Sequence, residues 1–311
     1  MRRALIIVLA TIILSVSVAA QTRTDADTPA HRRWWVSMSL ATGFDTNITH
    51  DEEQISAFGV IPSLGFHFRD NPERPSFEVD YEVGIHRYNN TDEFNRVSHS
   101  FVGVYRKRLS KRVVSKTTAE ISLKGSSEDR DVNNNYIFEQ QLQYRFPTNT
   151  RLAGFAAYRL KRYPLIEADS NSIDSYIGAK IEQRFSGDRS IELTYRYDHN
   201  RAWDPRSNYF RRTYTLEFQT PLSVRRQDWL VMEFRYAPRT YQSRTTRVDR
   251  IRVPRHDDRW VFEIDYTRLL RPDLLVGFNY EYEKRTSNDL DKFFTSHAFG
   301  LRFTFDKWSL K

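Results

Sequence analysis

The chain contains no cysteine among its 311 residues, which excludes disulfide frameworks and thiolate chemistry. Beyond the N-terminus it has no apolar run approaching the about 20 residues that a membrane-spanning helix needs. Its eight histidines show no metal-ligand spacing, and no segment is linker-like. The sequence therefore predicts no metal site, no cofactor and no second domain.

The N-terminus has the features of a secretory signal peptide. Met1, Arg2 and Arg3 form a basic head, residues 4–18 are apolar, and residues 18–20 are small, as at a cleavage site. An uncleaved anchor is the alternative, but a run of roughly 15 residues is short for a spanning helix. We therefore predict a signal peptide over 1–20, a disordered periplasmic lead over 21–33 and one β-barrel domain over 34–311.

Apolar and polar residues alternate along most of the chain, as in residues 77–85, 191–198 and 274–283. A period of two indicates β-strands, because successive side chains point to opposite faces. The polar faces carry too many charges to pack in a dry core. The alternation therefore predicts an all-β, transmembrane antiparallel barrel with apolar residues towards lipid, and the 14% aromatic content suits its interfacial girdles.

About fourteen strands are expected, and an even number of strands places both termini in the periplasm. The predicted strands are 34–44, 55–69, 75–88, 96–109, 113–125, 134–146, 150–163, 172–185, 189–201, 209–220, 227–240, 258–269, 273–285 and 294–307. Short turns rich in Pro, Gly, Asn and Asp follow the even strands, and longer polar loops follow the odd ones. The predicted location is the outer membrane of a Gram-negative bacterium.

Seven charged residues are predicted to line the lumen near the last strands. They are Glu233, Arg235, Glu263, Asp265, Glu281, Glu283 and Arg302. The acids could form a cation-preferring patch. Alternatively, the two arginines on the flanking strands could neutralise them.

A strongly basic external loop is predicted within residues 241–257. Its arginines are Arg244, Arg247, Arg250, Arg252 and Arg255. Guanidinium groups suit phosphates and carboxylates, so the loop could contact lipopolysaccharide or an acidic glycan, or it could simply be solvated. The net charge of +8 in an exported chain favours these partners over nucleic acid.

No enzymatic site is expected. Asp198 and His199 are adjacent, but neighbours on a strand point to opposite faces and cannot form a dyad. His99 and His297 are expected to be interfacial histidines, since no serine partner is identifiable.

A short motif lies near the start of the predicted domain. Gly43, Phe44, Asp45 and Asn47 form a Gly-aromatic-Asp-x-Asn pattern, followed by Pro-x-Leu at 62–64. This pattern resembles the first hairpin of a bacterial outer-membrane β-barrel porin family, some members of which accompany exopolysaccharide export. Asp45 and Asn47 are expected to face the lumen near the outer rim and to fix the first hairpin by hydrogen bonds.

The last predicted strand resembles the terminal signal read by barrel-assembly machinery, with Gly300 followed by aromatics at the alternate positions Phe303 and Phe305. Together these features predict a monomeric passive channel or conduit for small polar or glycan-like solutes. The alternative is a non-conducting scaffold barrel of an envelope or exopolysaccharide export system. Expected partners are outer-membrane lipids and lipopolysaccharide, the assembly machinery and polysaccharide export components.

Overall fold

The computed structural model describes residues 34–48, 55–71, 76–89, 92–126, 133–163, 171–223, 227–248, 251–289 and 292–309. The predicted signal peptide, the predicted lead and Arg250 lie outside these ranges. The strands are β1 Trp34–Asp45, β2 Ala57–Arg69, β3 Phe77–Tyr88, β4 Arg96–Arg108, β5 Val113–Ser126, β6 Asn134–Arg145, β7 Thr150–Arg162, β8 Ser172–Arg184, β9 Ser190–Ala202, β10 Tyr209–Pro221, β11 Asp228–Tyr236, β12 Arg239–Val248, β13 Ile251–Arg271, β14 Leu274–Ser287 and β15 Phe294–Ser309.

The strands form one closed antiparallel sheet. Except for β11 and β12, which do not pair with each other, consecutive strands pair along the chain, and β1 pairs with β15 to complete the circle. β11 and β12 both lie between β10 and β13, so together they occupy a single position in the wall. The result is a barrel of fourteen strand positions, which confirms the predicted fold class and strand number.

The barrel has two distinct ends. One end carries Trp34 and the connections at 70–76, 109–112, 146–149, 185–189, 222–227 and 272–273, and we call it the turn end. The opposite, loop end carries the connections at 46–56, 89–95, 127–133, 163–171, 203–208, 249–250 and 288–293. In the described part of the chain, no helix is long and apolar enough to cross a membrane.

The expectation of a long loop over 241–257 is wrong. β12 continues to Val248 and β13 begins at Ile251, so these residues form a β-hairpin that prolongs the barrel wall. Alternation is weak here because polar residues occupy both faces, so the sequence resembles a loop. The longest connection is 46–56.

The exterior is apolar along the middle of the strands. Strand alternation places Val79, Tyr81 and Val83 outside, and likewise Phe138 and Ile177, which are 55% and 62% exposed. On β6, β8, β11 and β15 the uncharged residues at alternate positions likewise face outward, among them Leu142, Ile181, Phe234 and Phe303. Phe101 and Tyr105 of β4 also face outward.

Histidines on the exterior are hydrogen-bonded to tyrosines. His99 Nδ1 lies 2.8 Å from the Tyr81 hydroxyl, and His297 Nδ1 lies 3.0 Å from the Tyr280 hydroxyl. Both pairs join neighbouring strands, so each ring has a partner without water. This geometry suits a surface that faces lipid, where an unpaired polar group would be costly.

Tight turns at the turn end use left-handed backbone conformations. Asn149, Gly187 and Asp188 have φ values of 59°, 76° and 59°, as their residue types allow. In the β2–β3 turn, Asp70 accepts hydrogen bonds from the backbone N–H groups of Ser76 and Phe77, at 2.9 and 3.1 Å. Burial acts to raise the pKa of Asp70, but these bonds and the Ser76 hydroxyl outweigh it and hold the pKa below its usual range.

Candidate channel interior

Six glutamates lie in register across six neighbouring wall positions and face the interior. The register pairs are Glu182–Glu192, Glu192–Glu217, Glu217–Glu233, Glu233–Glu263 and Glu263–Glu281. Strands are about 4.8 Å apart, so the six carboxylates extend over about 24 Å. We call these residues the glutamate row.

The glutamate row continues towards both ends of the barrel. Beyond Glu281 the same register passes through Ala298 to Asp45, at the loop end of β1. Beyond Glu182 it reaches Arg151, at the turn end of β7. Because barrel strands are tilted, a row perpendicular to them climbs the wall obliquely. The row therefore forms an acidic stripe that connects the two ends of the interior.

Basic residues neutralise four members of the row. The contacts are Lys180 Nζ to Glu192 Oε1 at 2.7 Å, Arg151 Nη1 to Glu182 Oε2 at 3.2 Å, and Arg235 to Glu233 and, at 3.8 Å, to Glu263. In the described ranges, Glu217 and Glu281 have no basic partner within 4.0 Å. Glu281 is only 4% exposed, and its Oε2 has no hydrogen-bond partner among the described residues.

Towards the loop end, ion pairs line the interior face of β7 to β10. Asp174 and Asp198 are both 0% exposed. Asp174 lies 2.8 Å from Arg159 Nε and 3.0 Å from Lys161 Nζ, whereas Asp198 lies 3.1 and 3.2 Å from Arg196 and Arg211. Two cations around each carboxylate satisfy these buried acids, as burial of a charge requires.

The same network continues on β13 and β14. Arg259 forms a bidentate pair with Glu283, with both bonds at 2.6 Å. Arg255 holds Asp257 in the same manner, at 2.8 and 3.0 Å. Such forked pairs are geometrically specific as well as strong. They leave few unpaired charges in this part of the wall.

Aromatic rings and arginines fasten the β12–β13 hairpin to the barrel. Tyr209 and Tyr241 meet edge to face, with centroids 5.9 Å apart. The Arg239 guanidinium lies 4.5 Å from the centre of the Tyr209 ring, and that of Arg255 lies 4.9 Å from the centre of the Tyr241 ring. These cation–π contacts explain why the hairpin is ordered although it extends beyond the apolar belt.

The predicted basic loop residues have divergent environments. Arg247 and Arg252 are exposed register partners near the hairpin tip, and Arg244 is half-buried beside Tyr241. Arg255 is only 2% exposed. The expectation that Arg255 belongs to an external basic loop is therefore wrong, because this residue lies on β13 and is turned inward, while Arg250 is outside the described residues.

The first-hairpin motif joins the first strand to the last. Asp45 Oδ1 accepts hydrogen bonds from the Asn47 backbone N–H at 2.8 Å and from the Ser296 hydroxyl at 2.7 Å. Asn47, which is 0% exposed, donates from Nδ2 to the Thr295 carbonyl at 3.5 Å. Gly43 packs so closely on β15 that a Cβ would lie 2.9 Å from the Phe299 carbonyl oxygen, while Phe44 faces outward. The motif thus closes the barrel at its seam.

Short side chains line the interior beside this seam. Gly43, Gly59, Ala298 and Gly300 border a cavity of about 160 Å³, with Arg302 at its edge. The space is large enough for several water molecules. Water therefore has room beside the wall where the glutamate row meets Asp45.

All seven residues predicted to line the lumen face the interior, but their pairing was only partly anticipated. Arg235 contacts the row as expected for a neutralising residue. Glu283 is paired by Arg259, which the sequence reasoning missed. The in-register alignment of the glutamates was also missed, because strand register depends on turn geometry that alternation does not define.

The described residues show no arrangement expected of a metal site, since no group of three or more potential ligands converges. Asp198 is inside the barrel, and His199 stacks on Phe210 outside, with centroids 4.6 Å apart. The two residues thus lie on opposite faces of β9, as alternation predicts.

No protein-family model and no curated protein matches this chain. Similar solved structures include OmpT, an outer-membrane protein of Vibrio cholerae, at 8% identity and a TM-score of 0.49, covering 88% of this chain and 97% of that one. An anion-selective porin from Comamonas acidovorans has 8% identity and a TM-score of 0.49, with 90% and 100% coverage. Pseudomonas aeruginosa OprD has 7% identity and a TM-score of 0.48, with 92% and 98% coverage. At these scores the likenesses carry no argument about function.

Proposed function

We propose that this chain is an outer-membrane β-barrel of a Gram-negative bacterium and acts as a porin-like passive channel for small polar or glycan-like solutes. The observation that carries the proposal is the glutamate row, an acidic stripe that leads from Asp45 to the opposite end of the interior. A row of charges inside a barrel with an apolar exterior requires water, and fourteen strands lie between filled barrels and open porins.

In this proposal the turn end faces the periplasm and the loop end faces outward. The exposed guanidinium groups of Arg247 and Arg252 then lie at the cell surface, where they suit phosphates of lipopolysaccharide or an acidic glycan. In this proposal Phe299, Phe303 and Phe305 of β15 face lipid, and Phe303 and Phe305 belong to the signal for the assembly machinery. The functional unit is a monomer.

Planar-bilayer recording tests the channel directly. Protein refolded in detergent should insert and produce uniform conductance steps that persist at low voltage. Correct folding must be checked first by strand-dominated circular dichroism and by a heat-dependent shift in gel mobility. Folded protein that inserts without any conductance would contradict the channel.

A second candidate function is a non-conducting scaffold barrel for envelope or exopolysaccharide export machinery. The buried ion-pair network around Asp174 and Asp198 favours it, because paired charges can close an interior as well as line it. In that case the folded protein should produce no conductance in planar bilayers, and cross-linking in cells should capture export components.

A further inference from the structure

Three basic residues cluster on the interior wall at the loop end of β3, β4 and β5. His86 and Arg96 are register partners, and Lys124 pairs with Ser98, two residues beyond Arg96. We call His86, Arg96 and Lys124 the basic trio. It lies on strands different from those of the glutamate row, so it belongs to another part of the wall.

Two members of the basic trio are buried and Arg96 is half-buried, and the trio has no acidic partners among the described residues. His86 and Lys124 are only 4% and 7% exposed. Among the described residues, no carboxylate lies within 4.0 Å of Arg96 or Lys124. This arrangement contrasts with the network on β7 to β14, where Asp174, Asp198 and Glu283 are buried and each contacts basic groups.

Two nitrogen atoms of the trio are buried and have no hydrogen-bond partner in the described part of the chain. They are Nδ1 of His86 and Nε of Arg96. His86 Nε2 lies 2.9 Å from Ser98 Oγ, which itself donates to the Gly84 carbonyl at 3.4 Å. The ring therefore donates from Nε2, and Nδ1 becomes a further donor when the imidazolium forms.

The wall beside the trio is lined by small polar side chains. Ser98 follows Arg96 on the same face, and Ser100 and Ser122 are register partners one step further along the wall. Their hydroxyl groups offer further hydrogen bonds. A ligand held by the trio can therefore carry additional hydroxyl groups.

We infer that the basic trio is a binding site for a small oxyanion, the carboxylate or phosphate of a solute that enters the lumen from the loop end. Buried cations without partners are costly, and an oxyanion supplies the missing charge and accepts from the orphaned donors. Lipid headgroups are not the ligand, since all three side chains face the interior. The site requires an accessible interior but does not require ion conduction.

Binding to the detergent-folded protein tests this site independently of channel activity. Glucuronate and inorganic phosphate should each bind saturably by calorimetry at low salt, with one ion per chain, whereas glucose should not. Preference for glucuronate identifies a sugar acid as the ligand class, and preference for phosphate identifies a phosphorylated solute. The imidazole resonances of His86 should shift during the titration.

The variants Lys124→Gln and Arg96→Gln should each weaken binding about tenfold, because one charge-assisted hydrogen bond contributes that much. The matched control is Lys116→Gln, which removes a cation from the same strand and face but far from the trio, and should bind normally. The variants should fold, because removal of an unpaired buried charge relieves a cost.

Three outcomes would overturn the site. They are absence of saturable binding to the folded native protein by both anions, undiminished binding to the Arg96→Gln/Lys124→Gln double variant, and an equal loss in Lys116→Gln. The last outcome would assign the effect to the general charge of the lumen.

Discussion

Gly178 is covered by an aromatic ring from the neighbouring strand. Its register partner Phe155 places its ring over the glycine and meets Tyr176 edge to face, with centroids 6.3 Å apart. A Cβ at position 178 would lie 2.7 Å from Phe155 Cε2 and 2.5 Å from the Tyr195 backbone oxygen. A backbone oxygen cannot move aside, so this position requires glycine.

The Gly178→Ala variant should therefore destabilise the barrel by about 1–3 kcal/mol, as expected for overpacking. The measurement is denaturant-induced unfolding in lipid vesicles, followed by tryptophan fluorescence. Gly154→Ala is the control, because a Cβ there has no neighbour within 4 Å. Equal stability of the two variants would show that the Phe155 ring and the adjacent wall adjust without cost.

Among the strands, the β12–β13 hairpin depends on inward contacts rather than on lipid. Arg255 contacts Tyr241 and Asp257 within the hairpin, and it lies 3.6 Å from Asp289 in the next loop. Arg252, three residues earlier on β13, is exposed and has only Arg247 as its register partner. Arg255 therefore has a structural role in the hairpin, whereas Arg247 and Arg252 are exposed and do not share that role.

Replacement of Arg255 by alanine should accelerate amide hydrogen exchange over residues 239–257 about tenfold or more, since a bidentate bond to a charged group is lost. Arg252→Ala should leave exchange unchanged. Mass-spectrometric exchange of the refolded protein provides the comparison. Similar protection in the two variants would mean that backbone pairing alone holds the hairpin.

Alternation was sufficient to predict most strands because lipid imposes one simple rule on outward side chains. On β3 the outward residues from Phe77 to Ile85 are all uncharged, and the predicted strand is nearly correct. The hairpin was missed because water surrounds it, so neither face needs to be apolar. The break between β11 and β12 at Ala237 and Pro238 was also missed, because the two strands follow each other in the same position of the wall.

For the barrel as a whole, the sequence predicts which side of the wall a side chain faces, but not which residues lie beside it on the adjacent strands. Glu233 and Glu281 were both assigned to the lumen from β-strand alternation. Their membership of one row, and the pairing of Glu283 by Arg259, follow from strand register. Register is determined by turns and by seam contacts such as Asp45 to Ser296, which join residues 251 positions apart in sequence. Such contacts leave no local pattern.

Ion preference is a property of this whole arrangement. The glutamate row contains two carboxylates without basic partners, Glu217 and Glu281, whereas the arginines of the loop-end network are held by acids. Cations that enter the lumen should therefore follow the row, and the channel should favour cations modestly. The basic trio and the exposed hairpin arginines oppose this preference at the loop end.

The Glu217→Gln variant should lower the cation-to-anion permeability ratio roughly twofold, because this half-buried carboxylate attracts an ion 4 Å away by about 1 kcal/mol in water and salt screens it over about 8 Å, whereas Glu281 is too buried to meet ions. Glu182→Gln is the matched control, since Arg151 and Arg184 already contact that carboxylate, so its loss should lower the ratio less. Reversal potentials in a potassium chloride gradient measure both, and the difference should fade as salt rises. Anion preference in the native channel, or a larger effect from Glu182→Gln than from Glu217→Gln, would mean that the row is a structural ladder rather than a path for cations.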